Sequence, residues 1–159
     1  MPAPAKIPSI QNKFTTGSGA DERRRQSVKE IFIRAWKGYR EYAWLKDELA
    51  SISGGSRNRF GGWAATLVDS LHTLWIMDLK VEFEEAVEAV KDINFSTTEE
   101  DEINTFETIR YLGGLLAAFD LCDGKYPVLL GKAVELGDML HATFDTPNRM
   151  PIAKWQWKG

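Results

Sequence analysis

Apolar residues recur at spacings of three and four along most of this chain, a period that predicts helices rather than strands. From about Asp21 to Leu49, Val28, Ile31, Phe32, Ala35, Trp36, Tyr39, Tyr42, Ala43 and Leu49 form one broad apolar stripe, the pattern of a long amphipathic helix. The Ser- and Gly-rich stretch from Ser51 to Gly62 reads as a loop. A second helix is expected from about Trp63 to Met77; it is apolar on nearly every side and is expected to be buried between other helices. Its neighbour, from about Leu79 to Ile93, carries Phe83, Ala86, Val87 and Val90 among charges and reads as half-exposed, so the two form a hairpin. A fourth helix from about Ile103 to Leu121 is broken by Asp123-Gly124, and a fifth follows from about Pro127 to Phe144. Past Thr146-Pro147 the chain reads as irregular or briefly extended.

Residues 1–20 read as a flexible leader, since Pro2, Pro4, Pro8, Gly17 and Gly19 interrupt any period, and residues 21–159 read as one helical domain. There is no strand–helix alternation and no nucleotide-binding glycine loop. Gly113-Gly114 lies inside a helical pattern and predicts close helix packing. The class is all-α, and the alternation of buried and exposed helices in antiparallel pairs suits an alpha-alpha barrel.

With 159 residues, 43% of them hydrophobic, the chain is large enough for one core. A net charge of −3 supplies no basic field for nucleic acid phosphates. Arg23-Arg24-Arg25, beside Asp21 and Glu22, reads as a solvated helix face. The single cysteine, Cys122, excludes an intrachain disulfide and a cysteine-rich metal site. No segment reaches the roughly 18 apolar residues of a membrane span.

The run from Phe106 to Gly114, Phe-Glu-Thr-Ile-Arg-Tyr-Leu-Gly-Gly, puts one carboxylate and one guanidinium at the mouth of an otherwise apolar helix. Taken by itself, a Glu in a first helical turn simply complements the helix dipole. Together with the run from Trp63 to Met77, however, it resembles the class I alpha-1,2-mannosidases (glycoside hydrolase family 47). Further blocks extend the resemblance from about Ala35 to about Pro151: Ala35-Trp36-Lys37-Gly38-Tyr39, Asp47-Glu48-Leu49, Phe83-Glu84-Glu85-Ala86, the run from Lys132 to Asp138, and Phe144-Asp145-Thr146-Pro147.

The resemblance implies an inverting, calcium-dependent glycosidase that removes terminal alpha-1,2-linked mannose from high-mannose N-glycans. It implies a fold that is part of a seven-fold alpha-alpha barrel, an incomplete (αα)7 toroid of antiparallel hairpins. By matching position Glu107 is the general acid and Arg110 holds substrate. Inverting enzymes use a second carboxylate about 6.5–9.5 Å away to activate water; it is not visible here. The family's calcium ligand falls beyond Gly159, so no metal-binding residue is assigned. A truncated, inactive piece is therefore expected, marginally stable and open to self-association along its uncovered helices. The alternative is a non-catalytic helical remnant that binds glycan or protein. Family members work in the secretory pathway or are secreted, but residues 1–20 show no signal or anchor, and no compartment is assigned.

Three departures from the family pattern bear on the site. Glu107 and Arg110 are three apart where the family has four, so one residue is missing after Thr108. Unless the helix starts later and the loop absorbs the difference, Glu107 turns by about 100° relative to downstream core positions Ile109, Leu112, Leu115 and Leu116. His72 replaces a family Asp in the second helix and reads, like His141, as structural. Asp78 stands where the family has Gly. Trp36, Trp63 and Trp75 read as core, whereas Trp155 and Trp157 are freer to line a groove. The acidic run Glu99-Glu100-Asp101-Glu102 reads as a solvated loop, also suited to a helix start.

Overall fold

The computed structural model describes residues 19–98 and 100–156. The chain divides into two compact units, Met1–Arg34 and Ala35–Gly159, each described by itself. Of the leader read over residues 1–20, all but Gly19 and Ala20 lie outside the described residues, as do Glu99 and Trp157. The described part of the first unit is helical and belongs to α1 (Gly19–Tyr42). On it Arg24 lies 3.6 Å from Asp21 and Arg25 2.8 Å from Glu22, all exposed, which is the solvated face the charge pattern predicts.

The second unit opens with the last residues of α1, where Trp36 and Tyr39 are buried. The helix ends at Tyr42, seven residues before the periodicity suggests, and Leu45 takes a left-handed backbone (φ 59°) in the turn that follows. The Tyr39 hydroxyl holds that turn by donating to the Lys46 carbonyl at 2.7 Å. In place of a plain loop comes a hairpin of β1 (Glu48–Ala50) and β2 (Gly55–Arg57), paired Glu48 with Arg57 and Ala50 with Gly55.

Four helices follow: α2 (Ala65–Ile76), α3 (Lys80–Val90), α4 (Thr105–Leu121) and α5 (Pro127–Ala142). Within the unit α2 packs on α4, α3 lies behind α2, and α5 lies behind α4 and touches α3. Inner and outer helices thus alternate along the chain, as the pattern of burial predicts. Leu67, Val68, Leu71 and Leu74 of α2, Leu115 and Ala118 of α4, and Leu129 and Leu136 of α5 are completely buried. Each such leucine withdrawn from water stabilises by about 1.5–3 kcal/mol.

Gly114 explains how closely α2 and α4 approach: a Cβ there would lie 2.7 Å from the Val68 carbonyl oxygen. Gly113, one residue earlier, meets nothing, so only one glycine of the pair serves packing. The turn out of α2 is closed by Asp78 in the left-handed region (φ 56°), with Leu79 N–H donating to Leu74 O and Asp78 N–H to Trp75 O. This is a helix stop normally built on glycine. Finally, β3 (Glu102–Asn104) pairs antiparallel with β4 (Lys154–Gln156), Ile103 opposite Trp155.

Candidate active site

The loop from Asn58 to Ala65 forms one wall of the site, and a single buried carboxylate shapes it. Asp47 is wholly inaccessible, and its Oδ2 accepts from the N–H of Phe60 (2.7 Å) and Gly62 (2.9 Å) while Oδ1 accepts from Ala65 N–H (3.1 Å). The residue before α2, Ala64, is left-handed (φ 56°) and has no capping side chain. Asp47 therefore caps α2 from outside the helix, satisfying donors that burial would otherwise leave orphaned. Its carbonyl also accepts from Thr66 N–H and Oγ1. Tyr111 of α4 closes the arrangement, its hydroxyl donating to Phe60 O at 2.6 Å and standing 3.4 Å from Asp47 Oδ1. Burial first, then the negative charge of Asp47, holds that phenol far above its ordinary 10.0.

The opposite wall is the start of α4. Asn104 is its cap, Oδ1 accepting from Phe106 N–H at 3.1 Å, and the Thr105 N–H is taken by the Ala153 carbonyl at 2.9 Å. From this fixed start Glu107 points, half-buried, into a recess of about 200 Å³ that it lines with Arg59, Phe60, Glu100, Glu102, Tyr111 and Lys154. Among the described residues its carboxylate has no hydrogen-bond or ion-pair partner. Glu102 is paired with Lys154 at 2.6 Å, while the Glu100 carboxyl is pushed up by burial and by the charges of Asp47 and Glu107. The acidic run is therefore no plain solvated loop. Glu100 and Glu102 are half-buried against Glu107, and the helix starts at Thr105, beyond the run.

The three-residue spacing sends Arg110 in another direction. Its Nη1 lies 3.1 Å from Asp69 Oδ2 on α2 and its guanidinium carbon 4.9 Å from the Phe60 ring centroid, outside the lining of the recess. Residues three apart differ by about 60° around a helix axis. Glu107 and Arg110 thus flank Phe60 from two sides instead of sharing one wall. The core-facing side of α4 is made by Thr108, Tyr111, Gly114, Leu115 and Ala118. Of the positions expected there, Leu115 is buried, but Ile109 is 66% exposed and Leu116 38%. Phe106, 70% exposed, extends the same open side.

His72 is half-buried one turn along α2 from Asp69, and its Nδ1 is buried without a partner among the described residues. Burial raises the Asp69 carboxyl above its ordinary 3.8 against the lowering pull of Arg110 and His72. His141 is exposed in the last turn of α5, where it complements the helix dipole. Trp36 and Trp63 are core, and Trp63 Nε1 donates to Thr97 O at 2.7 Å. Trp75 is half-buried against Phe83 and under Lys80, and Trp155 is half-buried on β4. Among the described residues no three His, Cys, Asp or Glu side chains gather to hold a metal. These residues do not fit a calcium ion, which takes six to eight oxygens.

Stacked helical hairpins with a carboxylate-bearing recess at the helix starts place the chain in the alpha-alpha barrel class. Residues 31–159 match glycosyl hydrolase family 47, and the chain belongs to that family. It is 39% identical over 145 residues to the mannosyl-oligosaccharide alpha-1,2-mannosidase 1B of Aspergillus oryzae, covering 84% of this chain and 28% of that one. It is 42% identical over 132 residues to the human endoplasmic reticulum mannosyl-oligosaccharide 1,2-alpha-mannosidase, covering 82% and 18%. Among solved structures, the alpha-1,2-mannosidase of Trichoderma reesei superposes with a TM-score of 0.80 at 32% identity, over 84% of this chain and 30% of that one. The chain spans less than a third of the length of each of these relatives.

Proposed function

We propose that this chain carries the acid-bearing part of a glycosidase site acting on alpha-1,2-linked mannose of high-mannose N-glycans in the secretory lumen. Glu107 is the proton donor and Arg110 positions the sugar. The observation that carries the reading is Glu107 itself, half-buried on the wall of a recess and bonded to no described residue. A proton donor must be near the glycosidic oxygen, sheltered from bulk water and free of a competing internal partner. Family membership supports the same assignment. On the same wall the Glu100 carboxyl is pushed up by burial and by the charges of Asp47 and Glu107, so the recess is acidic around the proposed donor. Asp69 and the Phe60 ring hold one side of the Arg110 guanidinium and leave its other N–H groups for sugar hydroxyls.

The test replaces the corresponding segment of the Trichoderma reesei enzyme with residues 35–156 and assays mannose release from an alpha-1,2-linked disaccharide with calcium present. E107Q is expected to lower kcat by about 100-fold or more with KM little changed, and R110A to raise KM. Undiminished kcat in E107Q would overturn the acid assignment. Titration of the unaltered 159-residue chain with the same disaccharide, followed by amide NMR, is independent of chimera folding. The Gly61 and Ile103 signals are expected to move, and R110A to suppress the movement.

A further inference from the structure

Asn94-Phe95-Ser96 has the Asn-x-Ser form of an N-glycan acceptor, with a residue other than Pro in the middle. The triplet lies between α3 and β3, with Asn94 and Ser96 exposed and Phe95 fully buried. The Phe95 ring stacks edge-on with Trp63 and Tyr111 at centroid distances of 5.4 and 5.8 Å. The backbone on either side is pinned to α5, Lys132 Nζ donating to Ile93 O and Phe95 N–H donating to Glu135 Oε1 at 2.8 Å. Between these anchors Asn94 Oδ1 accepts from Ser96 N–H at 2.8 Å, and its Nδ2 donates to no described residue.

We propose that Asn94 is a site of N-linked glycosylation, modified before Phe95 docks into the core. Nδ2 attacks the anomeric carbon of a lipid-diphosphate-linked oligosaccharide and gives up one proton to a carboxylate base of the transferring enzyme, from which it passes to solvent. The bond from that carbon to the phosphate oxygen breaks, and the lipid diphosphate leaves with the electron pair. Because Nδ2 bonds to no described residue, the product keeps every contact described here. The order of events follows from burial. An enzyme that takes the triplet as an extended stretch cannot do so while Phe95 is held by Trp63, Tyr111 and Glu135. Asn94 lines a second recess of about 370 Å³ with Lys46, Asn58 and Trp63, which adjoins the Glu107 recess at Gly61 but shares no carboxylate with it.

The inference rests on the lumenal setting proposed above and not on the chemistry of Glu107. To test it, the full 159-residue chain is translated into microsomes behind a cleavable signal segment, with resistance to added protease reporting entry. The protected chain is expected to run heavier by one glycan, to lose it to peptide N-glycosidase, and to lack it in N94Q and in S96A but keep it in E107Q. A protected chain that stays unmodified overturns the site, whatever the mannosidase assays give. For the timing, the chain folded beforehand and offered to solubilised oligosaccharyltransferase with lipid-linked donor is expected to stay unmodified while a free peptide spanning residues 91–98 is modified. Equal modification of both overturns the order of events, and failure of the peptide overturns the acceptor itself.

Discussion

The first turn of α2 is closed from outside by Asp47, which takes three backbone N–H groups and is fully buried. The start of α4, a helix that touches it through Tyr111 one turn further on, is capped by its own Asn104, carries Glu107 with no bond to a described residue, and exposes Phe106 and Ile109. The same physical need, satisfying the free donors of a helix start, is thus met in one place by total burial and in the other by a local cap that leaves a carboxylate available. Internal hydrogen bonds are concentrated on the first wall, while the second turns a carboxylate toward the recess.

That contrast breaks most severely at Asp47. D47N replaces an acceptor of three hydrogen bonds with a group that can accept through only one atom, and is expected to cost about 3 kcal/mol in urea-induced unfolding. A loss below about 1 kcal/mol would mean the α2 cap is dispensable. Next comes G114A, whose Cβ would press on the Val68 carbonyl at 2.7 Å and is expected to cost about 1–3 kcal/mol by forcing α2 and α4 apart. G113A, with nothing near it, is the control and should be neutral or slightly stabilising.

A smaller effect is expected at Asp69, whose folded-state carboxyl lies above its ordinary 3.8 because of burial. A raised value means the stabilising contribution is full below 3.8 and is lost as pH rises through the folded-state value. The unfolding free energy of wild type relative to D69N should therefore fall with pH across that window, and a rise would reverse the assigned cause. Smallest of all is E107Q, expected within about 0.5 kcal/mol of wild type because Glu107 bonds to no described residue. A cost comparable to that of D47N would show that the two helix starts are not built differently after all.

The helices were legible because their periodicity is strong: the bounds of α2 to α5 fall within three residues of the expected ones. The strands were not, since runs of three residues carry no alternation to read, and β3 and β4 are joined only by pairing across distant sequence. The early end of α1 is associated with a left-handed Leu45, a conformation no propensity predicts. At the site, the resemblance pointed to Glu107, but the directions of Glu107 and Arg110 depended on where the helix started, and Asn104 and the β3–β4 pairing set that. Asp47 was visible only as part of a matching block. The clue was Ala64, a poor helix cap followed by a buried helix, which demands a cap from elsewhere. Glu100 was missed because an acidic run in a loop gives no sign of which carboxylate will turn inward.

The pairing of Glu102–Asn104 with Lys154–Gln156, and of Thr105 with Ala153, has a consequence for synthesis. The strand that settles where α4 begins leaves the ribosome only after α5 has emerged. Until then the segment bearing Glu107 is free to wind from more than one starting residue, and the recess does not exist. Closing so long a loop adds little entropic penalty over a shorter one, so the delay is a matter of order rather than of stability. The wall that holds Glu107 is therefore completed only once β4 has followed α5 out of the ribosome.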